Sequence, residues 1–443
     1  MKRRLYKTYI RTRNLNRRAR DLITPAGTMV IVVFVVALLF GNNPDKNFIY
    51  QITMLSLSVL LVSLLFSLYF RTAVRVTPSF PEKCSVGDRV SYYIELENRG
   101  DITEDGLFYS EQLSNIPLSL EAFLTGKEEG EEQRNKFDRT FGYYRWTALS
   151  TLKDGVVPKL TPLPRLLPNE KKRVELFFTP LRRGYIHFAG FALFRSDPFG
   201  LFRRKIAFEM PTNIVVYPAV FPLSVEQLTG VGLIRSGFGS ETDKKGHSGD
   251  FLSLREYVPG DPVKQIDWKS TAKGDPVIFR ELQKESQARM TIFVDTVSSI
   301  STDSLVEDAL SYASSLVVSA TAAVNIEDVV TSEHFFSART GSIEAKKERL
   351  LEALATVQIV PHSENRAPLH YISTEHNAIG AAIVLLISLS PSNLNLLREL
   401  SLVRLPFSAL LFVDRATVEI KQRAEKEGVR VIEKGSWHSG GLQ

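Results

Sequence analysis

The residues best equipped for chemistry stand together in one stretch, 249–268, which reads GDFLSLREYVPGDPVKQIDW. It supplies a guanidinium at Arg255, carboxylates at Asp250, Glu256, Asp261 and Asp267, a phenol at Tyr257 and an indole at Trp268. Pro259-Gly260-Asp261-Pro262 is a turn, because glycine accepts positive φ and an aspartate there bonds the backbone ahead of it. Folded back on that turn, Arg255 and Asp267 are expected to meet as a bidentate pair with Trp268 over them. Such a pair serves either as a clamp docking the segment on the sheet that follows, or as part of a partner surface.

A catalytic use is the other reading. Asp250, Asp261 and Asp267 could act as an acid/base group, with His247 and Ser248 as a nucleophile pair. Sequence neighbours rarely have the geometry of nucleophile and base, no third group orients them, and His247 stands in a Gly/Lys-rich loop where a solvated histidine is the default. The glycines at 230, 232, 237 and 239 continue into neither a dinucleotide fingerprint nor a phosphate-binding loop. The expectation is therefore no catalytic residue and no cofactor, with a membrane-associated hydrolase built on the Asp/Arg cluster as the alternative.

Elements must position this stretch, and 443 residues provide for two or three domains. The net charge of +6 invites nucleic acid as a partner. Yet Lys2, Arg3, Arg4, Lys7, Arg11, Arg13, Arg17, Arg18 and Arg20 alone outweigh it, so the basicity belongs to a leader and no nucleic-acid face is expected. One cysteine, Cys84, excludes an internal disulfide.

Two apolar runs follow the leader, 22–40 and 48–70, separated by a polar turn at 41–47. Their lengths suit a hydrocarbon core of about 30 Å, and charged residues are absent from both. A transmembrane hairpin is expected, with the lipid bilayer as partner. Basic flanks at the leader and at Arg71 and Arg75 put both ends in the cytoplasm, which makes a multi-pass inner-membrane protein with cytoplasmic soluble domains. A cleaved signal peptide is disfavoured, since no small-x-small site follows the first run.

From 74 to about 218 the period is two: Val90, Tyr92, Ile94 and Leu96 alternate with Ser91, Tyr93, Glu95 and Glu97. That predicts an all-β sandwich of immunoglobulin-like type over 71–217, with 127–138 as a solvated loop inserted in it. A linker and the signature segment occupy 218–290. From 291 apolar strands (291–295, 383–390, 408–414, 429–433) alternate with helices (305–323, 344–357, 392–402, 417–427), which predicts a doubly wound α/β domain to 443. The whole is multidomain: leader 1–21, hairpin 22–70, β-sandwich, linker and α/β domain.

The signature carries a resemblance. Arg255, Glu256, Tyr257, Gly260, Asp261, Ile266, Asp267 and Trp268 match R-E-Y-x-x-G-D-x-x-x-x-I-D-W, and Arg182-Arg183-Gly184 followed by Asp197-Pro-Phe-Gly-Leu-Phe202 stands upstream. In this the chain resembles the bacterial family catalogued as domain of unknown function 58. The resemblance implies a C-terminal domain similar to von Willebrand factor A. It also implies partners among MoxR-type AAA+ ATPases and other von Willebrand A-type proteins, and a non-enzymatic adaptor or scaffold role in envelope or protein-complex maturation. It further implies a metal site of the form D-x-S-x-S, completed by a Thr and an Asp from later loops and suited to Mg²⁺. Asp295 and Ser299 match, but Val297 replaces the first serine, and the strand at 383–390 ends in Ser388 and Ser390 without an aspartate. A degenerate site without metal is expected.

Overall fold

The computed structural model describes residues 2–40, 47–69, 71–223, 245–283, 289–298, 303–320, 325–361 and 365–434, except positions 115, 127, 129, 260 and 275. The chain forms two compact units, Met1–Ala219 and Val220–Gln443.

The first unit opens with helices α1 (Lys2–Leu22), α2 (Pro25–Phe40) and α3 (Asn47–Leu68). Inside apolar α3 the hydroxyls of Thr53 and Ser56 donate to the carbonyls of Ile49 (2.9 Å) and Ile52 (2.7 Å), so both are satisfied within the helix. Among the described residues, Phe48–Leu68 is the one helix long and apolar enough to cross a membrane, and only 17% of its apolar window is buried. Of the two expected spans, only α3 has full length among the described residues. At about 1.5 Å per residue the 16 residues of α2 reach only about 24 Å, short of the roughly 30 Å hydrocarbon core. The run shortens because Leu22 ends α1, Ile23 pairs with Phe202, and the Thr24 N–H donates to the Leu201 carbonyl (3.0 Å).

Helix α1 carries the basic residues and packs by its aromatic side. Tyr6 Oη donates to the Leu118 carbonyl (2.6 Å), Tyr9 Oη to that of Phe141 (2.9 Å), and Arg13 makes a two-bond pair with Asp154 (2.9 and 2.6 Å). The two rings flank Phe123 and Trp146 in a small separate core. Apart from Leu118, those contacts fall on three helices, α4 (Leu120–Thr125), α5 (Lys136–Phe141) and α6 (Tyr143–Asp154). The solvated loop expected at 127–138 is thus largely a single turn, Glu131–Gln133, and α5, and the unit is not all-β. Caps make such short helices viable: Ser119 and Asn135 accept from the N–H groups of Ala122 and Asp138. The charge run is absorbed by pairs, Arg134 with Glu128 (2.6 Å) and Arg145 with Glu131.

Two sheets complete the unit. One has the order β1 (Val74–Ser79), β3 (Val90–Asn98), β6 (Lys171–Phe178). The other runs β2 (Lys83–Ser85), β8 (Arg203–Tyr217), β7 (Gly184–Ser196), β4 (Leu107–Leu113), β5 (Thr161–Pro162). The predicted alternation holds in β3, whose Tyr92, Ile94 and Leu96 are buried against Phe178, Phe188, Ile214 and Val216 in a core that both sheets share. Within it Tyr92 Oη donates to Glu111, whose carboxyl burial pushes up. Gly190 makes the bulge in β7 possible: a Cβ there would lie 2.0 Å from the Phe208 carbonyl oxygen.

In the second unit, β9 (Lys245–Glu256) and β10 (Ile278–Gln283) form an antiparallel pair bracketing a 3-10 turn (Val263–Gln265) and the single-turn helix α7 (Trp268–Thr271). A six-stranded sheet follows, formed by β11 (Arg289–Val294), β12 (Asn325–Thr331), β13 (Phe335–Ser337), β14 (Ala381–Leu386), β15 (Phe407–Val413) and β16 (Val429–Glu433). Its order is β13-β12-β11-β14-β15-β16, and every pairing is parallel except β12 with β13. Helices α8 (Asp303–Ser319), α9 (Ile343–Thr356), α10 (Arg366–Glu375), α11 (Pro391–Leu402) and α12 (Val418–Lys426) make the crossovers. Counted within the sheet this is the doubly wound order 3-2-1-4-5-6, whose direction reverses between β11 and β14. That reversal opens a crevice at the carboxyl ends of those two strands.

Candidate functional site

The signature folds back as expected, with a different partner for its arginine. Arg255 leaves β9 and grips Asp261: Nη1 donates to Oδ2 (2.7 Å) and Nη2 to Oδ1 (2.8 Å). Asp261 also accepts from the Val258 N–H (3.0 Å), and Arg255 Nη1 donates to the Glu256 carbonyl (2.9 Å). Phe279 of β10, 5% exposed, lies beneath the guanidinium at 4.6 Å from ring centre to Cζ. Asp267 does something else. It caps α7 by accepting from the N–H groups of Lys269 and Ser270 (both 3.1 Å) and pairs with Arg280 (3.0 Å). Arg280 and the Ser270 N–H hold its carboxyl below the usual carboxylate range, which is unsuited to a proton acceptor near neutrality. The expected Arg255–Asp267 pair is replaced because the turn delivers its own aspartate first, while β10 brings Arg280 to Asp267.

Trp268 does not cover the pair; it is 65% exposed. Tyr257 is half-buried, its N–H donating to the Val277 carbonyl (2.8 Å), and Glu256 points outward on β9. Gly260 lies outside the described residues, as do the side chains of His247, Ser248 and Asp250.

The crevice between β11 and β14 holds Asp295, 4% exposed. Its Oδ1 accepts from the Val297 N–H (3.0 Å), and its Oδ2 from Asn393 Nδ2 (2.6 Å) and the Ile387 N–H (3.4 Å). Asn393 Nδ2 also donates to the Ser388 carbonyl (2.9 Å), so both its near neighbours are acceptors and the amide nitrogen must face Asp295. Its Oδ1 accepts from Asn365 Nδ2 (2.8 Å); both asparagines are 2% exposed, and Asn365 is left-handed with φ 53°. A cavity of about 10 Å³ remains beside them. Burial pushes the Asp295 carboxyl up.

These residues do not fit the divalent cation implied for this position. An amide N–H occupies the carboxylate lone pair a cation would take, Val297 offers no oxygen side chain, and Ser390 accepts from the Asn393 N–H (3.3 Å) as the cap of α11. Ser299 lies outside the described residues. Among the described residues no three His, Cys, Asp or Glu side chains gather as metal ligands. Sequence reasoning noticed Ser388 and Ser390 but missed Asn393 and Asn365; an asparagine two residues after a proline that starts a helix was the available signal.

With this geometry in view, comparison with known proteins places the signature. The family model "Protein of unknown function DUF58" matches residues 253–335. That span runs from the end of β9 through the hairpin and α8 to the start of β13. The "Uncharacterized protein YeaD" of Bacillus subtilis (strain 168) is 27% identical over 152 residues, covering 33% of this chain and 36% of that protein. The match thus spans about a third of the relative. Among solved structures, a beta-glucosidase from Listeria innocua aligns at 12% identity and TM-score 0.17, over 33% of this chain and 16% of that one. An inactive mutant of an exo beta-N-acetylglucosaminidase from Vibrio harveyi aligns at 7% identity and TM-score 0.19, over 84% and 77%. Neither likeness is close enough to inform fold or activity.

Proposed function

We propose that this chain is a membrane-anchored, non-enzymatic adaptor whose signature hairpin, 249–283, docks a cytoplasmic AAA+ ATPase of the MoxR type. In this reading α3, with α2 beside it, anchors the chain in the inner membrane as a hairpin. The β-rich unit is an immunoglobulin-like spacer, and the six-stranded sheet is a von Willebrand factor A-like domain that has exchanged its cation for an asparagine. Other von Willebrand A-type proteins are further partners.

One observation carries the reading. Arg255, Asp261 and Asp267 are occupied in holding the hairpin's shape, while four apolar residues of the signature face solvent: Leu254 is 45% exposed, Val258 57%, Val263 61% and Trp268 65%. Exposed apolar side chains clustered on one small element mark an interaction surface, and tryptophan is the residue most enriched where binding energy concentrates. A hydrolase would want a carboxyl poised to accept a proton, and Asp267 is held the other way by Arg280.

The test is affinity capture of the full chain in mild detergent, with bound proteins identified by mass spectrometry. An AAA+ ATPase of the MoxR type is expected from the wild type and is lost from Trp268→Ser. Recovery of no ATPase with the wild type overturns the proposal.

A further inference from the structure

The upstream motif Asp197-Pro-Phe-Gly-Leu-Phe202 has no part in the adaptor surface, yet it is among the most heavily bonded turns in the first unit. Asp197 is 7% exposed, and its carboxylate accepts from the N–H groups of Phe199 (2.8 Å), Leu201 (3.0 Å) and Phe202 (2.8 Å). A fourth donor is the hydroxyl of Ser63, fully buried on α3. On the other side of the turn, Thr24 Oγ1 donates to the Gly200 carbonyl (2.5 Å) and the Thr24 N–H to that of Leu201 (3.0 Å). Gly27 lets α2 come this close, since a Cβ there would lie 2.1 Å from the Leu201 carbonyl oxygen.

The turn is therefore wedged between the first residues of α2 and the last turns of α3. Ser63 precedes the end of α3 at Leu68 by only about 7.5 Å of helix axis. At this level α3 still presents Leu64, Leu65 and Phe66 at 43%, 56% and 56% exposure, and Phe199, whose N–H bonds the same Asp197 that Ser63 bonds, is 53% exposed. Tyr69 (83% exposed) and the exposed Arg71 and Arg75 follow directly. An aromatic tip level with the end of an apolar helix, bordered by tyrosine and arginine, has the chemistry of a bilayer's interfacial zone, where rings sit among headgroups and cations meet phosphates.

We propose that this turn is a lipid-seated joint: Phe199 enters the headgroup region of the phospholipid bilayer that α3 crosses, and the bonds of Asp197 to Ser63 and of Thr24 to Leu201 hold the β-sandwich against that surface. The inference rests on α3 as a membrane span, so the experiment reads the two separately. Cys84, whose thiol burial pushes up to about 12, is poorly nucleophilic near neutrality and is replaced by serine. In that background single cysteines at Phe199→Cys, Leu61→Cys or Tyr185→Cys receive an environment-sensitive fluorophore, and the full chain is placed in phosphatidylglycerol/phosphatidylethanolamine vesicles. The lipids carry a nitroxide quencher near the headgroup or at the chain end.

Tyr185 is the aqueous control, since it stands at the other end of β7, about 35 Å along the strand from Ser196. The label at Phe199 should lose intensity mainly to the headgroup quencher, that at Leu61 mainly to the chain-end quencher, and that at Tyr185 to neither. If Leu61 is quenched while Phe199 answers only to an aqueous quencher, the joint is refuted and the anchor stands. If Phe199 is shielded from lipid and aqueous quenchers alike, a protein covers it and the joint is again refuted. If Leu61 escapes lipid quenching, the anchor itself fails, and the joint with it.

Discussion

Asn393→Leu is expected to destabilise the C-terminal unit by about 3 kcal/mol at neutral pH, the range for a buried charged group that loses a hydrogen-bond donor. The measurement is hydrogen exchange of the β11 and β14 amides in the full chain, which reports the opening of that sheet. Leucine matches asparagine in size but removes the shortest bond to Asp295 Oδ2 (2.6 Å) and the side-chain oxygen that accepts from Asn365 Nδ2. The pH dependence has a definite sign. Burial raises the folded-state pKa of Asp295, so its contribution to stability is complete below the unfolded value of about 3.9 and is lost as pH climbs through the folded value. Removing the Asn393 donor raises the folded value further. The deficit of the variant relative to wild type should therefore be smallest in acid and grow with pH; a deficit that stays flat contradicts the role given to Asn393.

Arg255→Lys is the second large effect, expected to lower the local stability of the hairpin by on the order of 1–2 kcal/mol. An ammonium cannot reproduce the two parallel bonds to Asp261, nor lie flat on Phe279. The pair's side chains keep 29% and 19% of their exposure, so solvent screening holds the figure well below that of a fully buried pair. Faster exchange at the Tyr257 and Val258 amides, with β11 and β14 unchanged, is the expected signature. Asp267→Asn should do less, because an asparagine still caps α7 and the Arg280 it releases is 50% exposed. Loss of the six-stranded sheet's protection in Arg255→Lys would mean that the signature supports that sheet and is not a separate presenting element.

What was legible in the sequence followed periodicity. The alternation of Tyr92, Ile94 and Leu96 gave away a half-buried strand, and the unbroken apolar runs around Phe293 and Val384 gave away strands buried on both faces. Helices α4 and α5 were illegible: six residues each, too short for a 3.6-residue stripe, and held by the caps Ser119 and Asn135, which read as loop composition. The shortening of α2 came from Thr24 bonding Leu201, a contact between residues 177 apart in the chain that no local hydropathy window can register. In the signature the residue types and the turn were readable, but two aspartates competed for Arg255, and only the pairing of β9 with β10 decides which one wins. The closure of the crevice depended on Asn393, 98 residues from Asp295. Spacing of serines and aspartates could show that the expected ligand pattern was incomplete; it could not show that Asn393 bonds Asp295.

The most direct test places a photoreactive phenylalanine analogue at Trp268 of the full chain in living cells and identifies what it joins on illumination. A hairpin that faces a partner predicts an intermolecular adduct whose second component is an AAA+ ATPase, diminished when Arg255→Lys loosens the presenting turn. An adduct formed only within the chain, on the six-stranded sheet, would show Trp268 packed inward and contradict the adaptor surface.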